Sequence, residues 1–152
     1  MPLSEGDRIP DFGLLDDSGN TVTPDTLKGS KAILYFYPRA FTPGCTTEAC
    51  DFRDRHESLS AAGYLLFGIS PDEPAELAGF RAEHSLPFPM LSDPDHALAA
   101  AFGAWGMKKQ YGREYEGMIR STFVIDEEGV IIEAWRNVRA KGHAERVAAA
   151  LS

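Results

Sequence analysis

The chain has 152 residues, a length that suits one compact domain with a core of useful size and leaves little room for two. Hydrophobic residues make up 43% and charged residues 25%, which excludes intrinsic disorder, a collagen-like chain and a disulfide-dense scaffold. Lys and Arg total 15 against 23 Asp and Glu, a net charge of −8 that would repel nucleic-acid phosphates and anionic membrane surfaces.

No uninterrupted apolar stretch approaches the roughly 18 residues of a membrane span. The first residues, Met1-Pro2-Leu3-Ser4-Glu5-Gly6-Asp7, lack a basic region followed by an apolar one, so the expected location is the cytoplasm. Two cysteines, Cys45 and Cys50, are too few for a disulfide framework.

In chain order, residues 11–15 and 21–22 flank Asp16-Asp17-Ser18-Gly19-Asn20, a pattern that predicts an N-terminal β-hairpin. Residues 32–37 form a continuous apolar run ended by Pro38, which predicts a strand buried on both faces near the middle of a sheet. After a polar segment of helix length comes a second such run, residues 64–70. Strand, crossover helix and parallel strand is the natural unit here, so the predicted architecture is α/β. Asp72 and Pro74 suit the start of a helix carrying Leu77, Phe80 and Arg81. Asp93-Pro94 predicts the N-cap and first position of a third helix, which Gly103 can end in the left-handed conformation. Residues 103–117 hold four glycines with Trp105, Tyr111 and Tyr115 and show little periodicity. They are expected to form an irregular connection, either a binding loop or a mobile surface loop. Residues 121–126 and 130–135 around Glu127-Glu128-Gly129 give the best hairpin signal, and a helix from about Gly142 closes the chain.

The stretch from Tyr37 to Cys50 joins the end of a core strand to the start of a helix, where α/β folds commonly place their chemistry. Thr42 suits the N-cap and Pro43 the first helical position, which puts Cys45 in the first turn. Unpaired backbone N–H groups and the helix dipole favour a thiolate there. Cys50 lies five positions on, about 7.5 Å of rise and about 140° of rotation along a helix, or roughly 8.7 Å between Cα atoms. A disulfide needs about 4.4 to 6.8 Å. If one helix carries both cysteines, joining them requires unwinding at least a turn, and oxidation is coupled to local unfolding.

The plainer reading makes both cysteines small buried hydrophobes, a stronger case for Cys50 than for Cys45. Four intervening residues stand at the edge of zinc-ligand spacing, and His56, His84, His96 and His143 form no H-x₃₋₅-H pair. Neither a metal nor a cofactor is expected, and the C-x-x-C of a thioredoxin-type dithiol is missing.

These residues carry a family resemblance. The sequence resembles a peroxiredoxin of the bacterioferritin-comigratory, or Q-type, branch over nearly its whole length. Pro38-Arg39-Ala40-Phe41-Thr42-Pro43-Gly44-Cys45 matches the Pro-x-x-x-Thr/Ser-x-x-Cys signature. Further matches are Gly68-Ile69-Ser70, Leu91-Ser92-Asp93, Phe102-Gly103-Ala104-Trp105-Gly106 and Arg120-Ser121-Thr122-Phe123. The resemblance implies one thioredoxin-like domain over residues 1–152, with a central mixed β-sheet flanked by helices. It implies a thiol peroxidase of antioxidant defence, with Cys45 attacking hydrogen peroxide or organic hydroperoxides and Cys50 resolving the sulfenic acid into an intramolecular disulfide. Thioredoxin or a related dithiol protein would be the reductant. The implied catalytic set is Cys45, Cys50, Thr42, Arg120 and Pro38, with Thr42, Gly44, Cys45 and Arg120 holding the substrate. A monomer or weak dimer fits the same branch.

The chemistry is consistent with that set. Sulfur attacks in line with the O–O bond while charge builds on the departing oxygen, so fixed donors must stabilise an anion first on sulfur and then on oxygen. Each residue also has a plainer role: Thr42 as an N-cap, Pro38 as a strand terminator, Arg120 as a surface-accessible charge. Glu48 could orient an arginine, but a first-turn glutamate needs no such role, and it stays outside the catalytic set. Nothing separates Arg39 and Arg53 from solubilising charges. Two rival functions use the same pair: a redox-sensing or disulfide-exchange module, and a binding domain with two inert cysteines.

Overall fold

The computed structural model describes residues 2–110 and 112–151. Its elements are β1 (Leu14–Asp16), β2 (Thr21–Val22), α1 (Pro24–Leu27), β3 (Lys31–Phe36), α2 (Pro43–Ala61), β4 (Tyr64–Ser70) and α3 (Pro74–His84), followed by β5 (Met90–Ser92), α4 (Ala97–Phe102), β6 (Trp105–Gln110), β7 (Arg113–Met118), β8 (Ser121–Ile125), β9 (Ile131–Trp135) and α5 (His143–Leu151). Seven strands form one sheet in the order β2-β1-β5-β4-β3-β8-β9. β3 runs parallel to β4 and antiparallel to β8, and β4 runs parallel to β5, so the sheet is mixed.

The two apolar runs become β3 and β4 because both of their faces find cover. Ile33, Tyr35 and Tyr37 pack with Phe52 of α2, Leu77 and Phe80 of α3 and Val147 of α5. Leu34 and Phe36 point the other way, into a second cluster with Leu98 and Phe102 of α4, Phe123 and Ile131. Three helices thus cover one face, while α1 and α4 cover the other. The expected N-terminal hairpin pairs Leu14 with Val22, and the Asp16 carboxylate accepts bonds from the Ser18 and Asn20 amides in its turn. The late hairpin forms as read, with a register shift at Val124/Ile125.

Two expectations fail. Pro94 does not open α4: a turn intervenes, the helix starts at Ala97, and its N-cap is His96 at φ 49°. Asp93 still serves that helix, reaching over the turn to accept from the Leu98 and Ala99 amides. Gly103 ends it at φ 76°, as expected. The 103–117 segment is no irregular loop but a two-stranded antiparallel ribbon, β6–β7, whose pairs run from Trp105↔Met118 to Gln110↔Arg113. Tyr111 lies outside the described residues. Only the base of the ribbon, Trp105 and Met118, packs against the core, while Met107 and Tyr115 further along it are exposed, so alternating hydrophobicity has too few covered positions to show.

Candidate active site

The sheet register builds the site. β3 ends at Phe36, and Phe36 pairs with Ser121, the first residue of the antiparallel neighbour β8. The residue before Ser121 is Arg120, so the register sets that arginine beside the turn that carries the chain from β3 into α2. Its backbone is pinned where the Val138 amide donates to the Arg120 carbonyl, 2.9 Å.

Pro43 opens α2, leaving Cys45 in the first turn and 1% exposed. The Arg120 Nη2 donates to Cys45 Sγ at 3.4 Å, and its Nη1 donates to Glu48 Oε1 at 2.6 Å. Glu48 follows Cys45 by three positions, so both lie on the helix face turned toward Arg120. Its carboxyl is fully buried, and among the described residues Oε2 finds no partner. Burial pushes the Glu48 carboxyl up to about 7 while Arg120 pulls it back down. For Arg120 burial works against the charge, but Glu48 and Cys45 outweigh it and hold the guanidinium charged.

Gly44 makes this approach possible, since a Cβ there would stand 3.3 Å from Arg120 Nη2 and 3.8 Å from Ala140 Cβ. Beneath the thiol, Tyr35 stacks on Phe52 with centroids 4.6 Å apart. Burial raises both the Tyr35 and Tyr37 phenols far above neutrality, so they stay protonated. On the open side, Lys108 of β6 lies with Nζ 5.8 Å over the Tyr115 ring. Burial and the repulsion of Arg120 lower its ammonium, and Cys45 acts in the opposite direction. The site is a buried thiol bonded by one charged guanidinium, within the electrostatic reach of Lys108 and of two neutral phenols.

Comparison with known proteins shows the family. Residues 5–134 match the AhpC/TSA family. This chain belongs to that family. It is 48% identical over 143 residues to peroxiredoxin Bcp of Bacillus subtilis, covering 94% of this chain and 91% of that one. It is 40% identical over 142 residues to peroxiredoxin Bcp of Escherichia coli, covering 93% and 91%. The structure superposes on the Xanthomonas campestris bacterioferritin comigratory protein with a TM-score of 0.87 at 38% identity, over 92% of this chain and 89% of that one. A cysteine-to-serine mutant of Xylella fastidiosa peroxiredoxin Q gives 0.92 at 31%, over 99% and 96%. This peroxiredoxin is therefore a thiol-dependent peroxidase with a thioredoxin-like fold.

Within this peroxiredoxin the expected residues fall as follows. Cys45, Gly44 and Arg120 meet. Cys50 is half-buried on the same unbroken helix, α2, and both cysteines are free thiols. Pro38 is half-buried just past the end of β3. Thr42 sits at the N-cap with extended backbone, φ −85° and ψ 153°, but its side chain caps nothing. Its Oγ1 instead donates to the Arg39 carbonyl at 2.8 Å. Arg120 is not a surface-accessible charge, because only 15% of its side chain is exposed. The sequence reading left out Glu48 and did not single out Lys108. The i, i+3 spacing from Cys45 could have marked Glu48; nothing in the aperiodic 103–117 segment marked Lys108.

Proposed function

We propose that this peroxiredoxin reduces hydrogen peroxide and organic hydroperoxides through Cys45, with Cys50 as the resolving thiol. The observation that carries the reading is the single guanidinium of Arg120 joined to both Cys45 Sγ and a buried carboxylate. A cation held at both of its terminal nitrogens stabilises negative charge on sulfur without having to reorganise when that charge moves to oxygen. Thr42 commits its one hydroxyl proton to the Arg39 carbonyl, so its oxygen offers lone pairs to the O–H of an incoming hydroperoxide. That contact and the Arg120 donors orient the peroxide with its O–O bond in line with sulfur. Pro38 shields the thiol side of the turn from bulk water.

Sulfur then bonds the terminal peroxide oxygen, the O–O bond breaks, and the departing hydroxide or alkoxide takes a proton from water. Cys45 becomes a sulfenic acid. Its condensation with the Cys50 thiol forms the disulfide and releases water, and exchange with a dithiol protein such as thioredoxin restores both thiols. Residues 1–152 act as one domain, in the cytoplasm and as a monomer or weak dimer. No helix among the described residues is long and apolar enough to cross a membrane. The Xanthomonas relative is a protein of alkyl peroxide reduction activity, which favours organic hydroperoxides among the substrates.

The test compares rates. Reduced protein should react with hydrogen peroxide many orders of magnitude faster than free cysteine does, while alkylation of Cys45 by iodoacetamide shows no such gain. Equal gains for both reagents would make Cys45 a generally activated thiol with no preference for peroxide and favour a disulfide-exchange module.

A further inference from the structure

The segment between β3 and α2 is held from outside by a residue that the chemistry above does not use. The Ala40 amide donates to Asp72 Oδ2 at 2.7 Å. Asp72 is itself fixed by the ends of two parallel core strands. The Ser70 Oγ donates to the same carboxylate oxygen at 2.8 Å, and the Ser92 Oγ donates to the Asp72 carbonyl at 2.6 Å. Ser70 and Ser92 are both buried, and the Asp93 amide donates to the Ser70 carbonyl at 2.8 Å. Asp72 is thus part of the rigid end of the sheet and not of the helix that carries the cysteines.

The segment it grips is under tension. Phe41, next to Ala40, takes φ 67°, the left-handed region that non-glycine residues avoid, and remains 51% exposed. Its ring leans edge-on against Phe80 of α3, centroids 5.2 Å apart. Left to itself, the backbone at Phe41 would relax, and relaxation there displaces Thr42 and the first turn of α2. That first turn is also what must unwind before Cys45 can reach Cys50, since both now lie on one helix.

We propose that Asp72 is a positioning residue that sets the partition between peroxide attack and disulfide formation. Its carboxylate holds the strained Ala40–Thr42 turn in the form that presents Cys45 to Arg120, and release of the Ala40 amide is the first step of unwinding. The inference rests on the Cys45–Cys50 resolution reading. The step it governs is balanced: the Cys45 sulfenic acid and the Cys50 thiol give one S–S bond and one water. A charged acceptor lost from a backbone amide shifts such an equilibrium by about tenfold or more.

The experiment compares wild type with Asp72→Ala and Asp72→Asn, the amide keeping one acceptor and the shape should the alanine variant fail to fold. Three quantities are read: the rate of Cys45 oxidation by hydrogen peroxide, the rate of sulfenic acid condensation after it, and amide hydrogen exchange over residues 38–46 in the reduced protein. In the variants we expect slower oxidation, condensation at least several-fold faster, and roughly tenfold faster exchange confined to that segment, with Asp72→Asn intermediate. General destabilisation would raise exchange throughout the chain and would not accelerate condensation, and that pattern overturns the proposal. So does a disulfide that forms at the wild-type rate in both variants. If wild type forms no Cys45–Cys50 disulfide at all, the resolution reading falls and the role of Asp72 falls with it.

Discussion

Glu48 and Arg120 form an ion pair inside the protein, 2.6 Å apart, with the carboxylate wholly out of water and the guanidinium's other terminal nitrogen turned to Cys45. A pair of this kind contributes little net stability when intact, but removing one partner strands the other, at a cost of about 3–5 kcal/mol. Arg120→Ala should therefore do two separable things. The rate of Cys45 oxidation should fall about 100-fold, and the unfolding midpoint in urea should drop as well. Adding Glu48→Gln to that variant should recover much of the stability and none of the rate. Recovery of both would mean that Arg120 acts on the fold alone.

The pH dependence of stability has a direction set by Glu48. Its carboxyl binds a proton more tightly in the folded protein, at about 7 against an ordinary 4.5, so its favourable contribution is complete below about pH 4.5. That contribution is lost as pH rises through about 7. His143 works the other way. Burial lowers it from 6.5 to about 4, with Arg146 and Arg120 adding to the shift, so its contribution is present above pH 6.5 and lost as pH falls toward 4. Urea unfolding of wild type and Glu48→Gln from pH 5 to 9 checks the first: wild type should lose ground against the variant between pH 5 and 8, and a constant difference would contradict the assignment.

Thr42 can be tested by removing its oxygen while keeping its shape. Thr42→Val loses both the bond to the Arg39 carbonyl and the lone pairs proposed to receive the peroxide O–H, and we expect peroxide oxidation of Cys45 to slow by about 100-fold. Thr42→Ser should stay within about tenfold of wild type. Alkylation of Cys45 by iodoacetamide should change little in either variant. An equal fall in alkylation would show that the threonine orders the turn without touching the substrate.

Gly44→Ala asks how much slack Arg120 has. The new methyl would sit 3.3 Å from Nη2, and the guanidinium is already held by Glu48 on one side and Cys45 on the other. A shift of a few tenths of an ångström lengthens the contact to sulfur, so peroxide oxidation should slow by about tenfold with a small change in melting temperature. Wild-type kinetics in this variant would mean that the Arg120–Cys45 distance is not limiting.

Much of this arrangement was legible in the sequence, for identifiable reasons. β3 and β4 announced themselves because burial on both faces demands unbroken apolar runs. Cys45 was placed in a first helical turn because Pro43 tolerates so few other positions. Arg120 was found by its motif, but its burial was not, because burial follows from the pairing of Phe36 with Ser121, a register that no local pattern encodes. Glu48 was undervalued for the same reason: it stands in the second turn of α2 and not in the first, and a helical glutamate reads as solvated until a cation is brought over it. The β6–β7 ribbon was missed because only its base packs on the core and its outer part imposes no alternation, and α4 began late because Asp93 caps it across a turn instead of adjoining it.

The most direct measurement is intact mass and free-thiol count after one equivalent of hydrogen peroxide is added to the fully reduced protein, alongside Cys50→Ser. We expect wild type to lose both thiols and two hydrogens promptly, and Cys50→Ser to gain one oxygen on Cys45. Two thiols still free in wild type after that equivalent is exhausted would contradict a peroxidatic Cys45 resolved by Cys50.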